Sequence, residues 1–143
     1  MTFYSRKLKM PFEEVLNKVI QNLTQQGFTV IHMLDLRDIF QNRPGVELRN
    51  YKILGVYNPG LAYRAITLAP HIGIMLPCNV VIQESENGEV DISAINPLET
   101  IAPDQQTPAL EDIAQETGIR LRASVDFIAR ASRQPGLAGS TIP

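Results

Sequence analysis

The chain has few of the residues and patterns that mark several large classes of protein. Among its 143 residues there is a single cysteine, Cys78, which excludes an intramolecular disulfide and a cysteine-rich zinc site. The net charge is −2 and the basic residues form no stripe, which argues against nucleic-acid binding through phosphate contacts. No apolar run approaches the ~18 residues of a membrane span, and residues 1–10 lead into no apolar segment of a secretory signal. We therefore expect a cytoplasmic protein that binds neither nucleic acid nor membrane.

The residues that are present have the composition of an ordinary globular domain. Hydrophobic residues make up 44% of the chain and charged residues 20%, and the length is sufficient for one real core. We find no internal repeat and no interdomain linker. We therefore expect a single α+β domain over residues 1–132, followed by a flexible tail over residues 133–143.

Three helices are predicted from apolar spacing and from residues typical of helix ends. The first covers residues 11–26, where one apolar stripe is formed by Phe12, Val15, Leu16, Val19, Ile20 and Leu23. The second covers residues 59–69, with Asn58 as its N-cap and a proline at its first position. The third begins at Pro108 and keeps its apolar phase to about residue 132, with a weak point at Gly118.

Five strands are predicted from runs of β-branched and apolar residues, and they occupy residues 2–9, 28–36, 48–58 and the two halves of 78–96. Residues 37–47 are expected to form a short helical turn, and residues 98–108 a loop. Within 78–96, Asn87 and Gly88 predict a tight two-residue hairpin in which both have positive φ. The order β-α-β-β-α-β-β-α indicates an α+β fold with a mainly antiparallel sheet. The long first and last helices are expected to pack side by side on one face.

Cys78 lies in the sequence "MLPCNV" and is the first candidate for a catalytic residue. A thiolate nucleophile, a redox thiol or a soft ligand needs a thiol pKa lowered by a helix N-terminus or a nearby cation. No lysine or arginine is nearer in the sequence than Arg64. The alternative is a small residue buried in the sheet, which is the more common role of a free cysteine.

His71 is the second candidate for a catalytic residue, because its ring can change charge near neutral pH. A histidine bonded only to backbone or water in a loop would explain its presence equally well. The only other histidine, His32, lies in a different predicted strand, and no histidine pair has the spacing of metal ligands. We therefore expect no metal site and no cofactor.

Tyr57, Asn58 and Tyr63 are candidate ligand-binding residues at the turn between a strand and the second helix. The N–H groups at the start of that helix can hold an anion. Asn58 acting as a helix cap would explain the same turn without a ligand, and Tyr63 equally suits the core or a dimer contact. The nearby glycines form no phosphate-binding motif.

Residues 51–84, "YKILGVYNPGLAYRAITLAPHIGIMLPCNVVIQE", resemble domain of unknown function family 302. The matching features are a strand ending "ILGVYNP", a helix with "AYRA", the start of a strand at "LPCNVVI", and an acidic hairpin followed by "INP". The resemblance covers roughly residues 2–130. It implies a fold like that of TATA-binding protein, with a curved antiparallel sheet and two long helices, in a bacterial and archaeal family that tends to form homodimers. It implies no activity, because function does not follow from fold alone.

Three hypotheses about function follow. In the first, the protein is a homodimeric binding domain that holds a small molecule near the turns "YNPG" and "MLPCN", with candidate ligand-binding residues Tyr57, Asn58, Tyr63, Cys78, Asn79 and Glu99. In the second, it is a thiol-dependent redox enzyme or sensor that uses Cys78, assisted by His71 or Tyr63. In the third, it is a protein-interaction module that dimerises through an exposed face of the sheet.

Overall fold

The structure, a computed structural model, describes residues 2–133, with side chains described as far as residue 126. Its strands and helices, in chain order, are β1 (Phe3–Leu8), α1 (Phe12–Gln25), β2 (Thr29–Asp35), α2 (Leu36–Phe40), β3 (Tyr51–Tyr57), α3 (Pro59–Leu68), β4 (Cys78–Glu84), β5 (Val90–Ile95) and α4 (Pro108–Arg133). Three 3₁₀ turns lie between these elements, at Pro70–Met75, Pro97–Glu99 and Pro103–Gln105. Apart from Arg133, the predicted tail lies outside the described residues.

The five strands form one antiparallel sheet in the order β1-β5-β4-β3-β2. This arrangement confirms the predicted α+β class. The order of elements differs from the predicted β-α-β-β-α-β-β-α by one helix, because α2 was expected only as a short helical turn. None of the helices within residues 2–133 combines the length and the apolar character that crossing a membrane requires.

Helices α1 and α4 cover one face of the sheet. Because residues alternate between the two faces of each strand, every second residue points toward these helices. The buried residues on the helix side of the sheet are Leu8, Leu54, Val56, Cys78, Val80, Ile82, Val90, Ile92 and Ala94. The apolar stripe of α1 packs against them, as predicted, through Phe12, Val15, Leu16, Val19 and Leu23. Gly27 follows α1 with φ +88°, a left-handed conformation that favours glycine and ends the helix.

The predicted weak point at Gly118 does not interrupt α4. Thr107 caps the helix, since its Oγ1 accepts a hydrogen bond of 3.2 Å from the backbone N–H of Leu110. Gly118 is buried, and a Cβ at that position would lie 3.4 Å from Cδ of Pro97. The glycine therefore lies where α4 contacts the segment that follows β5.

The prediction of a two-residue hairpin turn between β4 and β5 is wrong. Ser85 and Glu89 pair beyond the ends of the two strands and leave residues 86–88 as the loop, in which Gly88 has φ +84° while no described residue other than glycine has positive φ. The backbone N–H of Ser85 donates to the carbonyl of Glu89 (2.8 Å), and that of Gly88 donates to the carbonyl of Ser85 (3.1 Å). Asn87 has a negative φ, and its side-chain oxygen accepts a hydrogen bond from the N–H of Glu89 (3.0 Å). These bonds define a three-residue loop that ends in a left-handed glycine.

A second, smaller apolar cluster lies beyond the end of the sheet where β4 begins. It joins α3, the 3₁₀ turn Pro70–Met75, the segment after β5 and the first half of α4, through Leu61, Ala65, Ile72, Ile101, Leu110, Ile113 and Ala114. Since α4 contributes to both clusters, its two halves pack against different parts of the domain. The boundary between the clusters contains the candidate site.

Candidate functional site

A cavity of about 70 Å³ lies between the two apolar clusters. Its wall comes from α3, from the chain leading into β4, from the end of β5 and the segment after it, and from α4. The lining residues are Ala65, Ile72, Met75, Leu76, Cys78, Ile95, Pro97, Thr100, Ile101, Leu110, Ile113, Ala114 and Thr117.

The small size of two lining side chains explains why this space is not filled. Ala65 of α3 and Ala114 of α4 are both buried and both line the cavity. A larger side chain at either position would project into the space. Protein interiors are otherwise packed as tightly as organic crystals, so a space of this size at a junction of four segments is a local exception.

The wall offers almost no free polar group to a ligand. The hydroxyl of Thr117 donates to the carbonyl of Ile113 (2.8 Å), and the hydroxyl of Thr100 donates to the carbonyl of Pro97 (3.1 Å). No charged side chain is among the described lining residues. Because an unpaired charge or polar group is costly to bury, the cavity suits an uncharged, apolar group.

Cys78 is on this wall and is buried, with 5% of the residue exposed. Burial raises the pKa of the thiol from 9.0 to about 11. A thiol with this pKa stays protonated at neutral pH, whereas nucleophilic attack and metal binding require the thiolate. The position and the pKa of Cys78 therefore favour a packing role over thiol chemistry.

An open groove of about 490 Å³ lies outside the cavity, between α3 and the edge strand β2. Its lining is Ile31, Tyr57, Pro59, Ala62, Tyr63, Ile66, Leu76 and Pro77. Ile31 is the extra residue of a β-bulge in β2, a feature that can redirect a side chain. Leu76 is part of the lining of both spaces.

The predicted ligand-binding residues are divided between separate surfaces. Cys78 lines the cavity, and Tyr57 and Tyr63 line the outer groove. Asn79 is exposed on the opposite face of the sheet, because it follows Cys78 in β4 and successive strand residues alternate. Asn58 caps α3, since its Oδ1 accepts a hydrogen bond of 3.2 Å from the N–H of Leu61.

His71 and Glu99 are exposed on two different 3₁₀ turns and are not among the described residues that line the cavity or the groove. Cys78, His71 and Tyr63 therefore do not share one cavity. Within the described part of the chain, no group of three or more histidine, cysteine, aspartate or glutamate side chains is placed to hold a metal ion.

Several lining residues were not identified from the sequence as site residues. Leu110, Ile113, Ala114 and Thr117 follow the helical spacing that predicts α4, and that spacing is the same as in an ordinary core face. Ile101 is a buried residue within a polar segment, and that isolated apolar residue was the available signal. The spacing alone could not show that these segments leave a space between them.

The fold and the site define a class of protein: a small α+β domain with a five-stranded antiparallel sheet, helices on one face and an apolar cavity at one end. The family model "Domain of unknown function DUF302" matches residues 4–128, and the chain belongs to this family. It is similar to the uncharacterised conserved DUF302 protein from Bacillus stearothermophilus, known from a crystal structure, with 28% sequence identity and a TM-score of 0.80. That similarity covers 88% of this chain and 97% of the other. None of the curated proteins compared with the chain matches it.

Proposed function

We propose that the protein is a homodimeric binding domain that holds a small, apolar molecule at the end of the sheet, near the turns "YNPG" and "MLPCN". The observation that carries this proposal is the apolar cavity, which is lined by residues of the second turn and of the helix that follows the first. The hydroxyls on its wall are already bonded to backbone carbonyls. Its chemistry therefore selects against charged and strongly polar molecules.

The energetic cost of the cavity supports binding over a purely structural role. Apolar side chains that face an unfilled space lose the packing energy of the contacts they would make there, and about 70 Å³ is left unfilled here. Replacing Ala65 or Ala114 by a larger residue would recover part of that energy. A ligand that fills the space recovers it as binding energy instead.

The size of the cavity limits the part of a ligand that it can hold. An engineered cavity of roughly 150 Å³ binds benzene, and this one has about half that volume. It accommodates a group smaller than an aromatic ring, such as a small apolar molecule or the narrow end of a longer one.

The homodimer is part of the proposal, supported by exposed apolar side chains on α3 and the turn after it. Tyr63 is 73% exposed, Leu68 54% and Ile74 84%, and exposed apolar surface of this kind can mark an interface when it is contiguous. Light scattering coupled to size exclusion should give twice the chain mass. For location we propose the cytoplasm, where a free cysteine is usual, and cell fractionation tests this.

The cavity is tested with xenon, which enters apolar cavities, observed by xenon NMR in the presence of the full-length protein. We expect a bound-xenon signal with the wild type, and its loss in Ala114→Leu. The matched control is Ala109→Leu, an exposed position on the same helix, which should leave the signal unchanged. Native mass spectrometry of the purified protein then searches for a bound molecule. Absence of xenon binding and of any copurified molecule would contradict the proposal.

A further inference from the structure

We infer that β2 pairs with β2 of a second copy of the chain, so that the two five-stranded sheets form one continuous sheet across a two-fold axis at Met33. This inference rests on the homodimer of the proposed function and adds the surface through which its two copies meet. The two strands run antiparallel, and each copy contributes the same residues to the contact.

Strand β2 is an edge strand without the features that usually keep such strands from pairing. Among the described strands it pairs with β3 alone, so it presents a row of unpaired backbone N–H and C=O groups on its outer side. Proteins commonly block such an edge with charged residues or proline. Residues 29–34 contain neither, whereas the other edge strand, β1, carries Arg6 and Lys7. The edge at β2 is therefore open to another strand.

The large apolar side chains that remain exposed are concentrated around this edge. Of the eleven such side chains among the described residues, eight lie on β2, α2, α3 and the 3₁₀ turn after α3, namely Ile31, Met33, Leu34, Ile39, Tyr63, Ile66, Leu68 and Ile74. Ile31 lines the same groove as two of the α3 residues, so apolar surface continues from the edge strand to the helix. Monomeric proteins rarely expose a contiguous apolar patch larger than a few hundred Å². This concentration favours an interface at the β2 edge.

The register of the pairing follows from the regular part of β2. Ile31 is the extra residue of the bulge, and the pairing with β3 is regular from His32 to Asp35. A two-fold axis perpendicular to a sheet keeps each side chain on its own face, so the axis must pass through a residue and not between two. An axis at Met33 places His32 opposite the partner's Leu34. An axis at Leu34 would instead place the carboxylate of Asp35 against the partner's Met33.

Gly55 keeps the large side chain of His32 away from the edge. The imidazole ring occupies the space where a Cβ of residue 55 would lie. Because Gly55 is opposite His32 in β3, the ring extends over the sheet and not toward the outer side of β2. A partner strand can therefore approach the backbone of His32 without meeting its ring.

Antiparallel pairing also brings apolar features at the two ends of the edge together. The groove lies at the beginning of β2, beside Ile31, and α2 directly follows the end of β2. None of the five residues of α2 is buried, and Ile39 is 53% exposed. Since each strand ends where its antiparallel partner begins, the partner's Ile39 is brought to the end of the edge that carries the groove. Two-fold symmetry produces this contact twice.

Disulfide crosslinking of the full-length protein tests the pairing and its register. At the two-fold axis the Cα atoms of the two copies of Met33 would be about 4.5–5.5 Å apart, within the range of a disulfide. In a Cys78→Ala background, Met33→Cys treated with diamide should form a covalent dimer on non-reducing electrophoresis. The matched control is Phe3→Cys on the other edge strand, since Phe3 is 48% exposed and Met33 47%. We expect Met33→Cys to crosslink at least about tenfold faster, because paired thiols have a high effective concentration.

A second cysteine variant on the same strand fixes the register. The Cα atoms of the two copies of Leu34 would be separated by two residues along the strands, about 8 Å in all, which is too far for a disulfide. Leu34→Cys in the same background should therefore crosslink as slowly as Phe3→Cys.

Lysine variants test the same edge without a crosslink. Met33→Lys places two ammonium groups opposite each other at the axis, where like charges oppose association. We expect the dissociation constant of the dimer, measured by light scattering over a dilution series, to rise at least about tenfold. Ile39→Lys should also raise it. The control Ile119→Lys, at a position 61% exposed on α4, should leave it unchanged.

The outcomes separate this inference from the proposed function. If wild type is a dimer but Met33→Cys crosslinks no faster than Phe3→Cys, or Leu34→Cys crosslinks faster than both, the inference is wrong while the proposed homodimer stands. A dimer as tight in Met33→Lys as in wild type leads to the same conclusion. If wild type has the mass of one chain at every concentration, the homodimer and the inference are both wrong. The apolar cavity is tested independently by xenon.

Discussion

The reactivity of Cys78 gives the sharpest prediction, because burial limits access to the thiol and also raises its pKa, which lowers the thiolate fraction. Raising the pKa of the thiol from 9.0 to about 11 lowers the thiolate fraction about 100-fold at any pH below 9. The residue is also buried, at 5% exposure, so a reagent has little access to the sulfur in the folded protein. We therefore expect alkylation in the folded protein to be at least about 100-fold slower than in the unfolded chain.

The assay is alkylation by iodoacetamide, followed by mass spectrometry from pH 6 to pH 10, in buffer and in urea. The folded-state rate should still rise at pH 10, whereas the unfolded chain should approach its plateau. A matched control is Asn79→Cys in a Cys78→Ala background, which moves the thiol one residue along β4 to an exposed position. That thiol should react at close to the unfolded rate. A folded-state rate for Cys78 within tenfold of the unfolded rate, with an inflection between pH 7 and 9, would refute the reasoning.

The same pKa predicts a pH dependence of stability. The folded-state pKa lies above the unfolded value, so the native state holds the thiol proton more tightly. The resulting stability is fully present below pH 9 and is lost as the pH rises from 9 to about 11, by about 3 kcal/mol in total. Urea unfolding of wild type and Cys78→Ala should show this loss only in wild type. If the free energy of unfolding fell equally with pH in the two proteins, the prediction would be contradicted.

Three further changes test the fold around the site. Asn58→Ala removes the cap of α3 and should lower the free energy of unfolding by about 1 kcal/mol, while Asn58→Asp should retain most of it in urea titrations. Gly118→Ala should raise the free energy of unfolding by up to about 1 kcal/mol, because alanine favours helix and its methyl would meet Pro97 at an ordinary contact distance of 3.4 Å. A loss above about 1 kcal/mol would contradict that contact. Leu121→Ala should cost about 2–5 kcal/mol since Leu121 is fully buried, whereas Ile119→Ala, 61% exposed on the same helix, should cost far less.

Much of the fold was predictable because its main elements are specified by local patterns. The stripe of α1, its end at Gly27 and the cap of α3 by Asn58 each depend on residues within a few positions of one another. Helix α4 was predictable across Gly118 because its apolar phase is the same before and after that glycine. Such signals need no knowledge of the rest of the chain.

The hairpin shows where a local pattern permits more than one structure. Asn87-Gly88 suits a two-residue turn, but it also suits a longer loop in which only the glycine is left-handed. The choice depends on Ser85 and Glu89, whose backbone groups pair across the loop and set its length. The dipeptide alone therefore predicted a turn at the right place with the wrong geometry.

The candidate site was the least predictable part, because a cavity arises from distant segments and from small residues. Ala65 and Ala114 are 49 positions apart in the sequence, and nothing near either alanine indicates that they face the same space. Residues that are adjacent in the sequence were misleading because they do not share one surface. Cys78 and Asn79 are adjacent, yet strand alternation places them on opposite faces of the sheet.

This separation changes how the turn "MLPCN" can contribute to binding. A ligand in the cavity reaches Cys78 but not Asn79, and a ligand on the opposite face reaches Asn79 but not Cys78. The turn therefore cannot act as one five-residue motif. Leu76 and Pro77 touch the outer groove, and Leu76 and Cys78 touch the cavity. Leu76 is the residue of this turn that lines both spaces, so the affinity of an apolar ligand should depend on that side chain more than on the thiol.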